Sequence, residues 1–172
     1  MVDIHKGFTL PELVTTLAVA AILVSLAAPS MKSLLADRRI AAVTQQLYGS
    51  ILLARSEAVT RGMNVSICRA SGIADCASEG DNWASGWLIF VDGDSNGLLD
   101  AGDELLRVYQ SQPDILTIIW NRGQSLRINS RGQARDFGTF TLCESLPEGV
   151  AARTISISLT GRARVSDTDT CS

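Results

Sequence analysis

The sequence predicts an α+β protein in which one long N-terminal α-helix, membrane-spanning in its first half, packs on a small antiparallel β-sandwich-like domain. Three observations predict it. Residues 8–29 form an apolar run interrupted by one acid, Glu12. Apolar residues then recur at spacings of three and four as far as Arg61. Beyond Gly62, short runs rich in Val, Ile, Thr and aromatics are bounded by Gly, Asp, Asn and Ser, which is the composition of strands and turns.

At roughly 1.5 Å per residue, a helix over 8–29 is about 33 Å long, enough to cross a hydrocarbon core of about 30 Å. Lys6-Gly7, the plausible cleavage point, precedes the run. The apolar segment would therefore stay on the mature chain, unlike a secretory signal. An ionised Glu12 near the start of a membrane helix costs about 2.5 to 3.5 kcal/mol, so a partner or a task is expected for it.

The second half of the helix is amphipathic. Ile40, Val43, Leu47, Ile51, Ala54 and Ala58 make one stripe, with Asp37, Arg38, Gln45, Arg55 and Arg61 between them, as a half-solvated helix needs. Gly62 is a suitable stop. Strands are expected at 64–69, 86–92, 104–109, 115–120, 126–128, 138–143, 154–159 and 163–166. No helix-period segment separates them, so the sheets should be antiparallel. The organisation predicted for the 172 residues is a leader at 1–7, an apolar half-helix at 8–35 and one domain at 36–172. That domain comprises the amphipathic half-helix (36–61) and the strands (62–172), the size of a single core.

The net charge of −3 hides an uneven distribution. Eight acids and no Lys or Arg lie between Asp75 and Glu104, whereas seven arginines against three acids lie between Arg122 and Arg164. One acidic and one basic region are expected, a clue to partners. The only histidine, His5, falls in the leader. A mature chain without histidine has no Ser-His or Cys-His nucleophile system and no His-ligated metal, which argues against an enzyme.

Two segments carry candidate chemistry. Asp92, Asp94, Asn96, Asp100 and Asp103 follow the ligand spacing of a calcium loop, with Gly97 at the turn position. A bidentate glutamate is missing at the last position, so an acidic turn is favoured over a calcium site, and no other cofactor is expected. Gly161-Arg162-Ala163-Arg164 sets two guanidinium groups two residues apart, on one face if extended. Such a pair suits phosphate oxygens, with Gly161 permitting a tight, mobile approach. Arg131, Arg135 and Arg153 are candidates to extend the contact. Trp83, Trp87 and Trp120 are read as core rather than as base-stacking groups.

The leader residues Lys6-Gly7 followed by FTLPEL, with Glu12 fifth after Gly7, resemble the type IV prepilin signature. GWLIFVDGDSNGLLDAGDELLRV (86–108), RGQARDFGTFTLC (131–143) and TGRARV (160–165) extend the likeness to the whole chain, which resembles the GspH/FimT family of minor pilins and pseudopilins. That resemblance implies cleavage by a prepilin peptidase between Gly7 and Phe8, N-methylation of Phe8, and a Glu12 that neutralises the terminal amine of a neighbouring subunit during assembly. It implies an inner-membrane subunit with a periplasmic domain that joins other major and minor pilins in a surface pilus. Gly161, Arg162 and Arg164 resemble the GRxR motif of the FimT branch, which binds DNA in natural transformation. The alternative is a pseudopilin of type II secretion, or a pilus-priming subunit, that does not touch DNA.

An exported domain meets an oxidising compartment, so Cys68, Cys76, Cys143 and Cys171 are expected as disulfides. Three pairings are open. Cys68 with Cys76, closing a short loop, and Cys143 with Cys171, tying the tail to a strand, are favoured over a zinc site because no C-x-x-C knuckle is present.

Overall fold

The computed structural model describes residues 9–113, 115–146 and 149–171, without the side chains of residues 24–30, 146 and 149. It divides into two compact units at Ala36/Asp37. The helix α1, Leu10–Arg61, runs through both.

In the first unit the helix starts at a Thr-x-x-Glu box. The Thr9 N–H donates to Glu12 Oε2 at 3.5 Å, so Glu12 serves the orphan donor of the first turn. The hydroxyls of Thr15 and Thr16 donate back to the carbonyls of Glu12 and Leu13. Leu10, Leu13, Val14, Leu17, Val19, Ile22 and Leu23 are all exposed. Among the described residues no helix is long and apolar enough to cross a membrane. Gly7 and Phe8 lie outside the described residues.

Among the described residues the second unit carries eight strands. They are β1 (Val65–Arg69), β2 (Trp87–Val91), β3 (Glu104–Tyr109), β4 (Leu116–Trp120), β5 (Ser125–Ile128), β6 (Gly138–Leu146), β7 (Gly149–Ile157) and β8 (Ala163–Thr168). They form two four-stranded sheets, ordered β3-β2-β1-β5 and β4-β6-β7-β8, and every pairing is antiparallel. The helix stripe expected from Ile40 to Ala58 is buried at all six positions. Trp87 Nε1 donates to Ser50 Oγ at 2.9 Å and ties β2 to the helix.

The second sheet alternates as a half-solvated antiparallel sheet should. Leu116, Ile118, Phe140, Leu142, Ile155 and Ile157 are buried, with Phe140 stacked on Trp120 at 4.3 Å and edge-on to Trp83 at 4.9 Å. Thr117, Ser156 and Ser166 are exposed on the other face. All three tryptophans are core residues, at most 3% exposed.

The first sheet does not alternate, because β1 and β2 are buried at every position. Its second face is covered by a satellite core in which Cys68, Ala70, Leu88 and Phe90 meet Cys76, Leu99 and Val108. Leu99 comes from the acidic segment, which folds back over the sheet. Disulfides join Cys68 to Cys76 and Cys143 to Cys171.

Most strand limits fall within two residues of expectation, and the larger differences are in β6 and β7. β6 runs on to Leu146 and not to Cys143, because Glu144 is a core-facing residue, 4% exposed, that pairs with Arg39 of the helix. β7 begins at Gly149 and not at residue 154, because it pairs with the lengthened β6 as far as Leu146 opposite Gly149. It stops at Ile157 and not at residue 159, because the Ser158 carbonyl already opens the turn by accepting from the Gly161 N–H at 2.8 Å.

Candidate functional site

Two turns meet at one end of the second unit. The first, between β5 and Gly138, is closed by Asn129, whose side-chain oxygen accepts from the N–H groups of Arg131 and Gln133 at 3.0 Å each. Gly132, at φ +74°, completes it. The second joins β7 to β8. Ser158 N–H donates to the Arg162 carbonyl at 3.0 Å, and Gly161 turns the chain at φ +73°, a left-handed conformation that glycine adopts without steric cost.

Gly161 is buried, and a Cβ there would overlap the carbonyl oxygen of Gly132. The two turns are therefore packed backbone on backbone. The expectation that this glycine gives mobility is corrected: it seats the hairpin on its neighbour. Arg131, on the first turn, and Arg162, on the second, are thereby brought to one surface.

The surface widens on both sides. Arg135 follows the first turn, its N–H bonded to the Arg127 carbonyl at 2.8 Å. Arg164 stands on β8 opposite Ser156, on the solvent face of the sheet. Arg122 sits beside Gly138, its Nε donating to the Phe137 carbonyl at 2.9 Å and its guanidinium 5.1 Å from the Phe137 ring centre. Arg122, Arg131, Arg135, Arg162 and Arg164 are all exposed. Among the described residues none of the five is in an ion pair.

The nearest acid in sequence is already committed. Asp136 accepts from Arg127 through both oxygens, at 2.7 Å each, and these bonds raise the Arg127 pKa above its ordinary value. The patch keeps an uncompensated positive charge, an arrangement that attracts polyanions. Arg153 does not belong to it. It lies beside Leu142 on the other face of the second sheet and pairs with Asp167 at 3.1 Å. Arg122 is a member that residue-by-residue reading missed, although the arginine count from Arg122 onward was its signal.

The acidic segment is held by its own hydrogen bonds. Asp92 is fully buried and accepts from Ser66 Oγ at 2.5 Å, Gly97 N–H at 3.0 Å and Asn96 N–H at 3.2 Å. Asp94 and Asp100 accept from the Asn96 amide group, and Asp103 accepts from the N–H groups of Gly93 and Asp100. These oxygens serve the loop's own donors. Among the described residues no three His, Cys, Asp or Glu side chains are gathered as a metal site requires.

Comparisons with known proteins fit this architecture. The family model of the type II transport protein GspH matches residues 43–161, ending one residue before Arg162. Two crystal forms of the type IV minor pilin FimU of Pseudomonas aeruginosa are similar in fold. One has a TM-score of 0.58 at 24% identity over 75% of this chain and 89% of that one. The other has a TM-score of 0.53 at 24% identity over 73% and 90%. The minor pseudopilin EpsH of the Vibrio cholerae type 2 secretion system aligns with a TM-score of 0.54 at 13% identity, covering 75% of this chain and 97% of that one. No curated protein sequence matches. A buried helix stripe under two antiparallel sheets, together with a family model spanning most of the second unit, settles the kinship: the chain belongs to the GspH family of type II transport proteins.

Proposed function

We propose that this chain is a minor pilin that captures DNA through the arginine end of its domain. The observation that carries the reading is the set of exposed arginines, Arg131 and Arg162 on two packed turns with Arg135 and Arg164 on the segments that follow them, unpaired among the described residues. Each guanidinium can donate a forked pair of hydrogen bonds to phosphate oxygens. Nothing in the patch reads base edges, so binding is independent of sequence and set by phosphate contacts. The tryptophans are buried and offer no platform for stacked bases, which leaves Phe137, exposed beside Arg122, as an aromatic ring at the patch.

In this reading the chain enters the inner membrane through residues 8–29, with its domain in the periplasm. A prepilin peptidase cleaves between Gly7 and Phe8, Phe8 is methylated, and Glu12 meets the terminal amine of the next subunit as the chain joins other pilins in a surface filament. The second reading is a type II secretion pseudopilin without DNA binding. The family's description and the fold of EpsH favour it.

Cells carrying Arg162→Gln/Arg164→Gln separate the two. Filaments of normal number with DNA retention reduced about tenfold or more are expected, since two of four phosphate contacts are gone. Unchanged retention would leave the pseudopilin reading.

A further inference from the structure

The patch has a further member on the helix. Arg55 is half-buried, and its Nε donates to the Gly132 carbonyl at 3.0 Å. It lies at the seam of the two turns, because a Cβ built on Gly132 or on Gly161 would come within 3.4 Å of that Nε. Neither terminal nitrogen of Arg55 bonds to a protein group among the described residues, and neither is sealed from solvent.

An arginine held this way differs from its neighbours. Its Nε is already used, so the guanidinium has lost part of its rotational freedom before any ligand arrives. The two terminal nitrogens remain for one anion. Contact by a fixed fork costs less ordering than contact by an exposed side chain such as Arg162 or Arg164. The seam also has Arg131 on one turn and Arg162 on the other, so a phosphate there meets positive charge from three separate elements.

We infer that Arg55 is a phosphate-binding residue, the preorganised contact of the patch, which takes a backbone phosphodiester on its two terminal nitrogens while Arg131 and Arg162 take the flanking ones. The inference rests on the DNA-binding reading above.

The test uses the full chain in a nonionic detergent, with a random-sequence duplex titrated between about 50 and 200 mM salt. Arg55→Gln should bind about tenfold more weakly at the lower salt. Its plot of log affinity against log salt should be shallower by about 0.9, the signature of one lost phosphate contact. Arg55→Lys should keep the slope and lose only part of the affinity, because the charge stays and the fork goes. Weaker binding with an unchanged slope in Arg55→Gln would mean that the residue only holds the turns, and would overturn the inference. Unchanged affinity would do the same.

Inorganic tripolyphosphate, titrated by calorimetry, separates this inference from the one it rests on. Wild-type binding of tripolyphosphate that Arg55→Gln abolishes, without DNA binding, would sink the DNA reading and sustain the site. Binding of neither ligand would overturn both.

Discussion

Gly161→Ala is expected to lower the unfolding free energy by about 2 to 4 kcal/mol, measured by denaturant titration at constant slope. Two costs add. Alanine is strained at the +73° φ of this residue. Its Cβ would also overlap the Gly132 carbonyl oxygen, a backbone atom that cannot rotate away, and forced overlap of this kind typically costs about 1 to 3 kcal/mol. Relief requires the two turns to part, which separates Arg131 from Arg162, so DNA affinity should fall with stability. An unchanged unfolding midpoint would mean that the turns are not held against each other, and the patch would lose its scaffold.

Asp92→Ala should be at least as damaging, with a loss of about 3 kcal/mol or more. The carboxylate is fully buried and receives Ser66 Oγ, Asn96 N–H and Gly97 N–H. Truncation takes the acceptor from the buried Ser66 hydroxyl and Gly97 N–H, whereas the Asn96 N–H keeps Asp94 Oδ1 at 3.1 Å. Each buried unsatisfied group costs about 1 to 3 kcal/mol. The damage should spread to the satellite core, because Asp92 fixes the start of the segment that brings Leu99 over Cys68, Leu88 and Phe90. Thermal unfolding checks the loss, and one smaller than about 1 kcal/mol would contradict the role given to this side chain.

Local pattern carried most of the fold. The stripe from Ile40 to Ala58 is read from spacing alone because a helix repeats within four residues, and all six side chains are buried. Eight strands were legible because each is bounded by turn residues, and the second sheet keeps the two-residue alternation of one dry and one wet face.

What escaped depends on contacts between distant segments. β1 and β2 are buried on both faces only because the acidic segment returns over them, and a run of Asp, Gly and Asn gives no hint of where it will lie. Glu144 falls one residue beyond the strand expected at 138–143, yet it belongs to β6 and faces inward because Arg39, 105 positions earlier, pairs with it.

The site shows the same division. Arg162 and Arg164 were legible as a motif, and Gly161 as a turn. The contact of Gly161 with Gly132 was not, nor were the places of Arg122 and Arg55. Arg55 reads as one more polar residue on a solvated helix face, and its role depends on a carbonyl 77 residues away. Arg153 passed the test of composition and failed that of geometry, since its strand places it opposite Asp167.

The central claim is that the arginine end of the domain binds nucleic-acid phosphate. The most direct measurement is the affinity of the full-length protein for a random-sequence duplex, followed by fluorescence anisotropy from about 50 to 200 mM salt. The exposed Arg131, Arg135, Arg162 and Arg164, with Arg55 as a fifth contact, predict a log–log slope of about −3.5 to −4.5, a fall of roughly a hundredfold to five-hundredfold across that range, with the same affinity for unrelated sequences. No binding at the lower salt, or binding that ignores salt, would contradict the account.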